Sequence, residues 1–284
     1  MHTPTLGPNV NKTDSSPWFG YRNNIVPDVT AHWMSEVLAL LGVDEEPWAN
    51  ACAIRLTRVR GGSSFYSEGS TAQALYVVRR GYFKSLRFAE DGYEQVLGFA
   101  VPGDVLGFEG LASNSQPLSV TALEDASVLV LPLGELDEWR ERSPALGHGL
   151  QRAFSRQLMQ AREHASIVAA VASEVRLARF IVWMSSRLAA SGESSRHFVL
   201  HMSRRDIASL LAIAHETVSR GLGLLAERGY IKVDNREIEI TNWSGLIACT
   251  RYTRRDADAP HHRIGAASIA QGGRPMPPRA GAPS

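Results

Sequence analysis

The stretch "SRRDIASLLAIAHETVSRGLGLLAERGYIKVDNREIEIT", Ser203 to Thr241, decides how the chain is read. Ser203 and Asp206 form an S-x-x-D capping box, predicting a helix that runs to about Leu211. A turn over Ala212 to Ala214 leads into a second helix from His215 to about Arg228. Ile207, Leu211, Ile213, Val218 and Leu222 fall where the two helices would share a core, and Ala208 is small where they cross. That spacing is a helix-turn-helix, whose second helix enters the DNA major groove by its N-terminal residues.

On the second helix Glu216, Ser219 and Arg220 stand at i, i+3 and i+4 and share one face. Arginine can fork onto guanine O6 and N7, glutamate can accept from cytosine N4, and serine can reach base or phosphate. His215 and Thr217 at the helix start, with Ser203 at the start of the first helix, are candidates for phosphate or flanking contacts. The bland alternative is a solvated polar face. "GYIKVDNREIEIT" adds two strands turning at Asp234-Asn235, a wing that favours the DNA reading. A zinc-protease helix would need a second histidine four residues after His215; position 219 is serine, so that reading fails.

Upstream, "SEVRLARFIVWMSSRLA" is an amphipathic helix. Before it, Phe154, Leu158, Ala161, Ala165, Val168 and Ala172 repeat at alternating spacings of 4 and 3, a heptad seam. The seam fits either a helix packed on its own domain or a parallel dimer helix, the latter favoured by its length and the absence of charge. Between about Ile54 and Leu133 the pattern changes to short β-type runs. "LYVVRRGYFKSLRF" reads as two strands about a turn at Arg80-Gly81, and "AEDGYEQVLGF" as strands about Asp91-Gly92. Pro102-Gly103 marks another turn, and "ALEDASVLVLPL" a final apolar strand. Short strands at regular spacing predict an antiparallel barrel or jelly roll.

The 284 residues therefore divide into an arm (1–28), a β-roll (29–143), a dimerisation helix (144–172), a winged helix-turn-helix (173–250) and a tail (251–284). The arm is Pro-, Asn- and Ser-rich and the tail Pro-, Gly- and Arg-rich, and both are expected to be disordered. Hydrophobic content of 44% and charged content of 21% fit a globular protein, and a net charge of +1 confines any nucleic-acid role to a local patch. No signal peptide opens the chain, and the apolar run from Ile167 to Val175 is too short to span a bilayer, so cytoplasmic residence without membrane contact is expected. Cys52 and Cys249 alone cannot hold a four-thiolate cluster, the tail's His261-His262 pair is a poor metal site, and no metal site is expected. Ser, His and Asp are present without a nucleophile motif, so no enzyme is expected.

"FYSEGSTAQALYVVRRGYFK", "PGDVLGFEGL" and "SRRDIASLLAIAHETVSRGLGLLAERGYI" together resemble the CRP/FNR family of bacterial transcription regulators, over about residues 30 to 250. The resemblance implies an α+β fold: an N-terminal antiparallel β-roll like a cyclic-nucleotide-binding domain, a long dimer helix and a C-terminal winged helix-turn-helix. It implies a homodimer that binds double-stranded DNA and touches RNA polymerase. The similarity is strongest to the FNR branch, whose E-x-x-S-R signature falls on Glu216, Ser219 and Arg220 and implies a palindrome of TTGAT-type half-sites.

Two departures concern sensing. Where cyclic-nucleotide binders of the family carry Gly-Glu-Leu and an Arg-Ser or Arg-Thr pair, this chain has Gly107-Phe108-Glu109 and "QPLSVTAL". A buried phosphate without a cationic partner is expensive, which argues against cyclic AMP. The oxygen sensors hold a [4Fe–4S] cluster with three N-terminal cysteines and one in the roll; the arm has none and Leu129 sits near the roll position, so no cluster is expected. No cofactor is predicted. A second reading makes the roll a pocket for an unidentified small molecule or haem that gates DNA binding. In the DNA module the family's turn glycine is Ala212, its helix cap is Ala214, and Gly221 and Gly223 predict a less rigid second helix.

Overall fold

A computed structural model describes residues 25–27, 32–44 and 46–251. The predicted arm and tail, with His261 and His262, lie largely or wholly outside these residues. In chain order the elements are β1 (Ile25–Pro27), β2 (His32–Trp33), α1 (Met34–Leu41), β3 (Ala53–Val59), β4 (Ser64–Tyr66), β5 (Ala74–Arg80), β6 (Phe83–Phe88), β7 (Glu94–Ala100) and β8 (Val105–Leu106). There follow β9 (Ser119–Ala122), β10 (Ala126–Pro132), α2 (Leu133–Arg142), α3 (Pro144–Val168) and α4 (Ser173–Ala190). The C-terminal part holds β11 (His197–Val199), α5 (Arg204–Leu211), α6 (His215–Glu227), β12 (Ile231–Asp234), β13 (Glu237–Ile240) and α7 (Trp243–Thr250).

The first ten strands make two antiparallel sheets, β1-β3-β10-β5-β8 with β2 beside β3, and β4-β9-β6-β7. This is the expected roll. Val78, Phe83, Leu106, Val120 and Val128 fill the space between the sheets. Alternate residues of the same strands, including Leu56, Leu75, Val77, Leu129 and Leu131, face the other way and meet α1, α2 and the start of α3. Strand β10 is buried on both faces, which is why its sequence is an unbroken apolar run.

The two strands about Arg80-Gly81 do not pair with each other. β5 belongs to the first sheet and β6 to the second, so Gly81 is a corner rather than a hairpin turn. Its φ is 78°, and a Cβ there would stand 2.8 Å from Cα of Ala126. The Asp91-Gly92 hairpin does form, with Phe88 opposite Glu94.

Helix α3 runs over Pro144–Val168, with the Ser143 hydroxyl accepting from Leu146 N–H at 3.2 Å. It stops short of residue 172: Ala172 is buried at the start of α4 and is not on the seam. Leu146, Leu150 and Ala153 hold α3 to the roll, and Ile167 packs against the C-terminal core.

Replacing Gly81 by alanine forces both a positive φ on a Cβ-bearing residue and a backbone clash. We expect Gly81→Ala to destabilise the fold by about 2 kcal/mol or more in guanidinium unfolding. An unchanged midpoint would mean that the corner imposes no such constraint.

Candidate nucleic-acid interface

The capping box is complete. Asp206 N–H donates to the Ser203 hydroxyl at 3.1 Å, and Ser203 N–H donates to the Asp206 carboxylate at 2.9 Å. The Ser203 hydroxyl also donates to that carboxylate at 2.6 Å. A phosphate contact donated by this hydroxyl would have to give up its bond to the carboxylate, while both backbone bonds of the cap could stay.

Helix α5 ends at Ala212, whose φ of 51° and ψ of 49° place an alanine in the left-handed region. Arg176 of α4 clamps the turn, donating to the carbonyls of Leu211 at 3.0 Å and Ala212 at 3.1 Å. Helix α6 begins at His215, and Ala214 before it supplies no side-chain cap. Ile207, Ala208, Leu211, Val218, Leu222 and Leu225 are buried, and Ile213 is partly so. Gly221 faces α4, where a Cβ would meet Leu177 Cδ2 at 2.8 Å, whereas Gly223 faces open space.

With that core filled, α6 turns Glu216, Ser219 and Arg220 to solvent, together with His215; Thr217 is half-buried. His215 Nδ1 lies 3.0 Å from a Glu216 carboxylate oxygen. A hydrogen bond from its own backbone N–H, and the neighbouring His215, hold the Glu216 carboxyl below the usual range. At neutral pH it is an anionic acceptor, as a cytosine contact requires. Behind α6, β12 and β13 pair with Asp234 opposite Glu237, so the wing turns at Asn235-Arg236, one residue beyond the expected position. Arg204 of α5 donates to the Asn235 carbonyl at 3.1 Å and ties the wing to the first helix.

The unit is docked on the roll by residues that no local pattern singles out. Lys84 of β6 reaches Asp206 at 2.8 Å and Glu94 at 3.0 Å. Burial by itself would drive Lys84 down and Asp206 up. Their hydrogen bond, helped by Glu94 and Ser203, reverses both, so Lys84 sits above and Asp206 below its ordinary value. The Ser209 hydroxyl donates to Glu94 O and accepts from Val96 N–H, each at 2.9 Å. Arg187 of α4 donates to Phe99 O at 2.6 Å and pairs with Asp104.

The seam residues lie along α3. Phe154 is 54% exposed and Leu158 48%, Ala161 and Ala165 are exposed, and Val168 is half-buried. Met159, which the heptad pattern passes over, is 58% exposed beside them.

Residues 175–249 match the Crp-like helix-turn-helix domain family, and residues 56–143 match the cyclic nucleotide-binding domain family. The chain is 35% identical to the transcriptional regulatory protein btr of Bordetella pertussis, over 66% of this chain and 78% of that protein. It is 33% identical to the fumarate and nitrate reduction regulatory protein of Salmonella typhimurium, over 70% and 80%. The structure of FixK2 from Bradyrhizobium japonicum superposes with a TM-score of 0.62 at 29% identity, covering 69% of this chain and 96% of that one.

The uncapped helix start and the left-handed alanine are local defects that substitution can repair. Ala212→Gly and Ala214→Ser are each expected to stabilise by roughly 1 kcal/mol. Calorimetric melting checks this, with a rise of about 2–4 °C per substitution; a fall for either one would show that its position does not carry the assigned conformation.

Proposed function

Because the chain belongs to the CRP/FNR family of DNA-binding transcription regulators, we propose that it acts as a homodimer reading a palindrome of TTGAT-type half-sites, with contact to RNA polymerase. The observation that carries this reading is the division of α6. Val218, Leu222 and Leu225 are buried, and Glu216, Ser219 and Arg220 stand exposed on the other side. One such helix reads one half-site. Two must be held about 34–36 Å apart to read a palindrome, which a dimer supplies.

The occupant of the α3 seam is a second copy of this chain. Phe154, Leu158 and Met159 leave an apolar stripe in water, and Ala161 and Ala165 let a second backbone approach. His215 and Thr217 are the phosphate or flanking contacts; Ser203 serves first as a helix cap. Among the described residues no helix is long and apolar enough to cross a membrane. The partner DNA puts the working protein in the cytoplasm, and the family is one of regulators rather than enzymes.

No iron–sulfur cluster is invoked: the arm contains no cysteine, and at the roll position Leu129 is fully buried. A second reading, in which a small molecule in the roll gates DNA binding, is favoured by a cavity of about 150 Å³ between roll, α3 and α4. That volume is far below what haem needs.

Arg220→Ala tests the base-reading assignment. It should cost about 1–3 kcal/mol on the palindrome and relax selectivity at one guanine position, measured by titration on duplexes varied base by base. Equal loss on all duplexes, including random DNA, would remove Arg220 from the readers.

A further inference from the structure

The last turn of a helix leaves carbonyls without donors of their own, and α5 finds some of its donors on other elements. The chain serves two of these carbonyls locally: Ile213 N–H donates to Ala208 O at 3.1 Å and Ala212 N–H to Ser209 O at 3.2 Å. The next three go to side chains from α3 and α4. His164 of α3 donates its Nε2 hydrogen to Leu210 O at 2.8 Å, and Arg176 of α4 donates to Leu211 O and Ala212 O at 3.0 and 3.1 Å. Arg176 also holds Ala170 O, in the link between α3 and α4, at 2.6 Å. Arg179 lies three residues farther along the same face of α4. It donates to Ser166 O of α3 and to Thr250 O at the end of α7, each at 2.9 Å. Each arginine thus runs from α3 or its link to a helix C-terminus in the DNA-binding unit, where the helix dipole favours a cation.

We propose that His164, Arg176 and Arg179 are positioning residues for DNA reading: by gripping the C-terminal carbonyls of α5 and α7 they fix the angle between α3 and α6, and with it the half-site spacing that a dimer accepts. The proposal rests on the reading of the chain as a homodimer on a palindrome. The far end of α6 is held from the same helix, since Glu174 in the first turn of α4 pairs with Arg228 just beyond α6.

Direction is what these bonds add. Ile167 of α3 already packs in the C-terminal core, but apolar attraction is non-directional and by itself lets α3 pivot against the unit. A hydrogen bond weakens steeply once it is bent, so a row of them on successive carbonyls resists the pivot. One base pair inserted between half-sites moves them about 3.4 Å apart and turns one against the other by about 34–36°. A dimer follows that change only by turning each DNA-binding unit on its α3, which strains the bonds to Leu210, Leu211 and Ala212. A hydrogen bond from a charged donor is worth roughly ten- to a hundredfold in an equilibrium, so the wrong spacing is penalised on that scale.

The test titrates the full chain on duplexes carrying two TTGAT-type half-sites, with the best spacer and with that spacer one base pair longer or shorter, and on a duplex carrying a single half-site. The unsubstituted chain should lose about tenfold or more when the spacer changes. His164→Ala combined with Arg176→Gln should bind the single half-site unchanged and lose about threefold or less with the same change of spacer, a difference of one such bond. His164→Gln, which keeps a side-chain N–H, should restore much of the discrimination that His164→Ala removes. Melting temperature shows whether each variant is folded; if Arg176→Gln is not, His164→Ala with Arg179→Gln makes the same test, the His164 ring being only half-buried. A folded, dimeric variant that keeps the full spacing penalty, or that loses as much on the single half-site as on the palindrome, would overturn the proposal. A variant that sediments as a monomer would overturn it too, by placing these residues in the seam. An unsubstituted chain indifferent to spacing would refute the homodimeric reading itself, and the proposal with it.

Discussion

Asp206 is the residue on which the two halves of the molecule meet. Its carboxylate accepts from the backbone and hydroxyl of Ser203, which starts the first helix of the DNA-binding unit, and from Lys84 on the roll. Both Lys84 and Asp206 are largely buried, so either charge alone would be costly there, and the pair holds because each satisfies the other. The same contact that begins α5 therefore fixes its orientation on the hairpin of β6 and β7. Ser209, one helical turn farther along α5, repeats the attachment through the backbone of Glu94 and Val96. Since α6 shares its core with α5, the direction in which Glu216, Ser219 and Arg220 face is set by the roll.

That arrangement explains why the C-terminal core does not stop at a domain boundary. Tyr82, Val96, Phe99 and Val101 of the roll lie in one apolar cluster with Leu177, Phe180, Ile207 and Leu211. A change in the roll moves packed side chains rather than a loose tether, and close-packed interiors transmit such strain. The cavity bounded by Glu109, Gln157 and Trp183 sits where the roll, α3 and α4 converge.

What the amino-acid sequence reveals by itself is what depends on near neighbours. The capping box, the Asp91-Gly92 hairpin, the apolar heptad along α3 and the exposed face of α6 with Glu216, Ser219 and Arg220 are all set by residues within a few positions of one another. The corner at Gly81 is not, because whether two consecutive strands pair depends on their partners in other sheets: β5 pairs with β10 and β8, and β6 with β7 and β9. The Lys84–Asp206 pair spans 122 positions and leaves no local trace. Ala212 takes a left-handed conformation that its residue type disfavours, because the packing of α5 on α6 and the Arg176 clamp overrule local preference.

The central claim is that the fold presents two copies of one reading face, one helical turn apart. Selection of bound sequences from a pool of random duplexes tests it most directly. The predicted result is a palindrome of TTGAT-type half-sites with centres about 10–10.5 base pairs apart. Enrichment of isolated half-sites, or of no sequence at all, would contradict it.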